Sequence, residues 1–269
     1  MARFEDETVD WLFDATGWWI AQLGGYGSFR ATSTVLTPTP EHFPVDASLP
    51  DDALALDFFS CVSEHAGVRG WDFVLEPDEQ PRVADALAGM SHPLTGPVER
   101  EAANEAPLAP GEPLPIPYDP AHLGEPLVLI ASFARGVAHY VAGAAPEPYT
   151  DDPEQHAYLV DLGAVMLGFG VFLANASFRF YQTSDGLMAG WGYGRAGALS
   201  QEDLSYALAL HSALLEVKAR DVTRHLEANP RGFFKKARRD LEKRRREALT
   251  RLRTVEPPAG GPYRSAAGP

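Results

Sequence analysis

Two long apolar stretches, residues 126–142 and 159–178, constrain this chain more than any other feature in it. Both are rich in glycine and alanine, and both are long enough to raise the question of a membrane span. Arg135 and His139 interrupt the first. In the second, the uncharged run lies between Asp161 and Arg179, about 17 residues, at the bottom of the range a helix needs to cross a bilayer. Buried helices of a soluble core fit better, and no membrane partner is expected. With 269 residues the chain can bury such a core without disulfide or metal staples. A single cysteine, Cys61, excludes an intramolecular disulfide and any cysteine-built zinc site. Glu5, Asp6, Glu7 and Asp10 stand where an export signal needs basic and then apolar residues. The expected compartment is the cytoplasm.

The rest of the pattern agrees with an α+β fold, predominantly α-helical, with a few short N-terminal strands. Residues 8–23 place Leu12, Ala15, Trp19 and Leu23 at helical spacing ahead of Gly24 and Gly25. The β-branched run 31–36 predicts a strand closed by Thr37-Pro38-Thr39-Pro40, and residues 71–75 predict another. Between them, residues 53–65 read as a helix that carries Cys61. Residues 76–118 turn to proline, glycine and acid, and they read as a long excursion within one domain covering residues 1–256. Short elements are expected near residues 83–90 and 114–116. Ser200-Gln201-Glu202-Asp203 has the form of a helix start leading residues 204–216. A basic helix follows over residues 232–254, and residues 257–269 form a low-complexity tail expected to be disordered.

The chemistry concentrates in residues 127–140. A zinc hydrolase helix sets two histidines at i and i+4 on one metal, with a glutamate at i+1 as base for the metal-bound water. Here His139 takes the second histidine position, Arg135 the first and Gly136 the glutamate's. Arginine has no lone pair to give a metal, and glycine carries no base.

The segment from Val160 through Asp161, Leu162, Val165, Leu167, Gly168, Gly170, Val171 and Phe172 to Ala174-Asn175 resembles an uncharacterised bacterial family. In that family a helix of the form A-H-E-L-x-H-V precedes one of the form T-D-L-x-x-V-F-L-G-x-G-V-F-x-A-N. The likeness continues through Gly190-Trp191, Arg195, residues 197–200 and Tyr206-Ala207-Leu208-Ala209. It implies a zincin-like helix pair with Asp161 near the metal. Because Arg135 and Gly136 depart from the motif, only His139 and Asp161 remain of that implied site. No cofactor is then expected, and the chain reads as a non-catalytic interaction or regulatory module with a protein or peptide partner. The alternative is a zinc-dependent hydrolase with a relocated site. His156 is the candidate replacement ligand, although five residues before Asp161 on one helix it points about 140° away, so it would have to serve from the preceding loop. Arg135 has two readings of its own: it receives a carboxylate or peptide C-terminus, or it pairs with Asp161.

His42, His65, His92, His122, His211 and His225 show no ligand-pair spacing. The glycine-rich run 190–197 lacks the strand and lysine of a phosphate-binding loop, and nothing around Cys61 activates a thiolate. Charge is unevenly spread. Residues 231–253 hold eleven Lys or Arg against three acids, a local +8 on a chain whose net charge is −14, which leaves −22 elsewhere. An acidic body repels polyanions, so this segment is expected to lie against that body and not on nucleic acid.

Overall fold

In a computed structural model, residues 4–77, 113–183 and 199–258 are described. The expectations for residues 83–90, for His92, for the run 190–197 and for residues 259–269 of the tail fall outside them. Helix α1 (Asp6–Gln22) opens with two acids in its first turn, where the N–H groups of a helix start favour negative charge. It buries Val9, Leu12, Ala15, Trp19 and Ile20, and Gly24, in the left-handed region at φ 90°, separates it from α2 (Gly25–Thr32). Helix α3 (Asp51–Ala66) stops at Gly67, where φ of 75° lets Val68 N–H reach back to the Ser63 carbonyl at 2.9 Å.

The strand expected over residues 31–36 does not form. Ala31 and Thr32 close α2, and the extended residues after them bond to a helix instead of a sheet: Leu36 N–H donates to the Gly168 carbonyl at 3.0 Å. Among the described residues, the strands are β1 (Phe73–Pro77) and β2 (Leu114–Tyr118), paired in parallel with Phe73 opposite Leu114. Leu114, Ile116 and Tyr118 face the core. Leu114 N–H bonds toward β1 at Asp72, so Pro115 and Pro117, which lack an N–H, fall on the strand's other edge. Ring contacts of Phe59 with Phe73 and Phe133, at centroid distances of 5.4 and 5.3 Å, join the pieces before and after the excursion.

After a 3-10 turn (Pro120–Gly124) come α4 (Pro126–Gly143) and α5 (Pro153–Ala164), each with proline in its first turn. A π-helical segment (Val165–Phe169) joins α5 to α6 (Gly170–Thr183), so the apolar stretch 159–178 is kinked and not one straight helix. The kink sits at Gly168, whose φ of 111° and closeness to the Thr34 carbonyl leave no room for a Cβ. The span-like windows in residues 126–143 and 153–177 are 72% and 89% buried inside the protein, which fits packed core helices. Trp19 crosses α5 at Gly163 and donates its indole N–H to the Leu159 carbonyl at 3.0 Å.

Helix α7 (Gln201–Leu214) starts as its sequence implies, with Ser200 Oγ accepting from Asp203 N–H, and it is buried from Leu204 to Leu214. It ends two residues short of expectation, and Glu216 takes a left-handed φ of 59°. A short α8 (Ala219–Thr223) leads to the basic region. That region is two helices, α9 (Ala228–Arg244) and α10 (Arg246–Leu252), where the sequence implies one. Phe234, Ala237 and Leu241 seat α9 on α7.

Candidate functional site

Helices α4 and α5 run antiparallel across a short loop, and their facing polar side chains meet in two rungs. Arg135 and His139, one turn apart on α4, share a face. In the inner rung, Arg135 Nε donates to Asp161 Oδ1 at 2.6 Å, and the two side chains are only 3% and 2% exposed. Asp161 Oδ2 accepts the Leu199 N–H at 2.9 Å, so both carboxylate oxygens are engaged. Arg135 Nη2 is buried with no hydrogen-bond partner among the described residues. Of the two sequence readings for Arg135, the structure shows pairing with Asp161. A guanidinium, permanently charged and without a lone pair, adjoins the carboxylate that the resemblance sets beside a metal.

In the outer rung, His156 Nε2 lies 3.1 Å from His139 Nδ1, with the rings nearly perpendicular at 88°. His156 is on the first turns of α5 and not in a preceding loop, so it points away from Asp161 and toward α4. Burial pushes the His139 pKa down to about 3, with His156 as the second cause, and burial pushes His156 down as well. Both rings are neutral at pH 7, and one N–H donates to the other ring's lone pair. Two nitrogens on one tetrahedral zinc would sit about 3.3 Å apart, given ligand bonds of about 2.0–2.1 Å. The rung therefore has the spacing of a ligand pair without a third member: no group of three or more His, Cys, Asp or Glu placed to hold a metal occurs among the described residues.

Gly136 explains itself by packing. A Cβ there would stand 2.9 Å from Ile116 Cδ1, because β2 lies directly on α4 at this point. A side chain at 136 thus meets an apolar strand and no polar centre.

The other titratable groups have local explanations. His42 Nδ1 bonds to the Thr37 N–H and hydroxyl, and His65 Nε2 donates to the His42 carbonyl at 2.7 Å. His225 Nε2 accepts from Arg224. His211 is different: it is fully buried on α7 against Phe29, neither ring nitrogen has a partner among the described residues, and burial holds its pKa at about 3. Burial pushes the Cys61 thiol up, helped by Asp57 and Glu64, the opposite of an activated nucleophile. In the basic region, Arg245 bonds Asp10 at 2.6 Å and Asp6 at 3.0 Å, Arg244 reaches Asp6 and Asp240, and Lys236 pairs with Glu202 at 2.6 Å. These cations lie against the protein's own acids.

Sequence reasoning missed the His139–His156 contact, although a usable signal was present. Asp152-Pro153-Glu154 is a helix start, and Asp152 does accept the Glu154 N–H at 2.9 Å, which puts His156 on the helix. In comparisons with known proteins, no family model, no curated protein and no solved structure matches this chain.

Proposed function

We infer that this chain is a non-catalytic protein of zincin-like ancestry that retains the helix pair as a scaffold and serves as an interaction or regulatory module in the cytoplasm. Its partner is a protein or peptide; the acidic body disfavours nucleic acid and anionic membranes in that role. The observation that carries the reading is the buried Arg135–Asp161 pair at 2.6 Å. Hydrolysis of the zincin type needs a metal with three protein ligands and a base for its water. Arg135 supplies a fixed cation in place of a ligand, Gly136 supplies no base, and both oxygens of Asp161 are occupied. Position 136, from which the zincin motif supplies its base, therefore carries none, and a side chain there would meet Ile116.

One observation favours a second reading, a relocated zinc site: the two histidine nitrogens 3.1 Å apart. A two-histidine site retains zinc poorly, because stable sites of this kind take three or four protein ligands. Metal analysis decides between the readings. Protein grown with added zinc and then desalted should hold well under one zinc per chain, and His139→Ala should not change the value. One tightly held zinc per chain that disappears in both His139→Ala and His156→Ala would overturn the non-catalytic reading.

A further inference from the structure

At Arg245 the backbone leaves helical geometry, with φ of −116° and ψ of 17°, and α10 packs against α1 and α7 instead of continuing α9. The bend opens a groove of about 420 Å³ between α9, α10 and the turn that follows α7. That is the size of a small-molecule site. Four cations line it: Lys218 from the turn, Arg238 from α9, and Arg246 and Arg253 from α10. Two acids, Glu216 and Glu242, stand with them. Glu216 is already shared by Arg30 at 2.5 Å and Arg253 at 3.7 Å.

The remaining three cations are underserved. Arg238 Nη1 has a single long bond to Ser212 Oγ at 3.3 Å, and Arg246 Nε donates to the Glu242 main-chain carbonyl. None of Lys218, Arg238 and Arg246 has an ion-pair partner among the described residues, although Lys236, Arg244 and Arg245 of the same region all do. Unpaired lysines and arginines on an open helix face are ordinary. Here three line one concavity, and Arg238 is half-buried, so its charge is partly stripped of water. Against Glu242 the three leave two positive charges unbalanced. The floor beneath them is apolar, built from Val217, Leu241 and Leu249.

We propose that this groove binds a small soluble phosphate monoester, with its phosphate between Arg238, Arg246 and Lys218 and its organic group on Val217 and Leu249. A phosphate monoester carries about −1.5 to −2 charge at pH 7, which matches the surplus, whereas a carboxylate would leave one cation unanswered. Guanidinium forks fit phosphate oxygens two at a time. None of the groove residues belongs to α4 or α5, so the proposal stands or falls separately from the reading of the Arg135–Asp161 pair.

Calorimetric titration of the full chain tests it, with n-hexyl phosphate, inorganic phosphate and hexanoate as probes. Saturable one-site binding of hexyl phosphate is expected, with inorganic phosphate and hexanoate each weaker by about tenfold or more, a loss of about 1.4 kcal/mol. Arg238→Gln with Arg246→Gln should weaken hexyl phosphate at least tenfold while leaving circular dichroism unchanged. Lys218 is exposed, so Lys218→Gln provides a variant that folding cannot confound, and it should weaken binding several-fold at low salt. Absence of saturable binding up to about 10 mM, a range in which even weak sites register, would overturn the proposal. So would unchanged affinity in folded Lys218→Gln. Retention on phosphatidylcholine vesicles only when they contain phosphatidic acid, without binding of hexyl phosphate, would assign the cations to a lipid surface and equally overturn it.

Discussion

The buried Arg135–Asp161 pair and the charged surface of α9 and α10 use the same residue types under opposite conditions. Inside, one guanidinium and one carboxylate are almost wholly cut off from water, and Arg135 Nη2 has no hydrogen-bond partner among the described residues. Toward the surface, Arg244 and Arg245 spread over Asp6, Asp10 and Asp240; these side chains are 12–67% exposed, although Arg245 Nε too is buried without a partner among the described residues. Desolvation separates the two cases. Removing one partner of an interior pair strands a charge where solvent cannot reach it, whereas a surface charge that loses its partner is rehydrated. The surface bridges therefore matter little to stability, whereas loss of one partner of the interior Arg135–Asp161 pair matters a great deal.

The largest effect should come from Asp161→Ala or Arg135→Ala. Each leaves a buried uncompensated charge, and each should cost about 3–5 kcal/mol in chemical denaturation. Replacing both at once by apolar residues of similar size should be far milder than either alone, because no charge is left behind. Gly163→Ala comes next. Its Cβ would stand 2.1 Å from Trp19 Cζ2, so α1 and α5 must move apart, at about 1–3 kcal/mol in the same measurement.

Acid sharpens the contrast, since the interior also refuses charge to histidine. His139 and His211 sit at about 3 in the folded protein, against about 6.5 when unfolded. Above pH 6.5 neither state binds these protons and nothing is lost. As pH falls from 6.5 toward 3 the unfolded state takes them up and the folded state does not, so stability declines by about 1.4 kcal/mol per pH unit for each such histidine. His211→Leu removes one of these groups together with two nitrogens that have no partner among the described residues. Its denaturation midpoint should exceed that of the parent at pH 7, and the gap should widen at pH 5. A gap that narrows in acid would mean His211 is charged in the fold. The smallest effect belongs to the surface: Asp10→Asn should change stability by no more than about 1 kcal/mol, and that change should fade in high salt.

Much of the fold was legible because hydrophobic period and capping chemistry are local. The helices at residues 8–23, 53–65 and 126–142, the Ser200 start of α7 and the strand at residues 71–75 all follow from short-range patterns. The misreadings came where the deciding contact is distant in sequence. Residues 31–36 look like a strand by composition, yet their backbone partner is the Gly168 carbonyl inside a π-helical kink. A helical wheel drawn on α5 alone separates His156 from Asp161 correctly, but it contains no α4, and so it cannot show that His139 waits on the other side. The break at Arg245 falls in a basic run with no glycine or proline to announce it, and the groove that depends on it was invisible for that reason. At the candidate site the residue types were informative and their company was not: Arg135 beside Asp161 was one of two readings, decided only by the packing of two antiparallel helices.

A double-mutant cycle on Arg135 and Asp161 tests most directly whether these two buried charges answer each other between the helices. The single variants Arg135→Met and Asp161→Leu and their combination would be followed by denaturant unfolding at pH 7. The expected result is strong non-additivity, with a coupling energy of about 2–3 kcal/mol and the double variant well above the sum of the singles. Additive losses, with coupling within about 0.5 kcal/mol of zero, would show that the two charges do not hold each other and would contradict the assignment of this face to structure instead of chemistry.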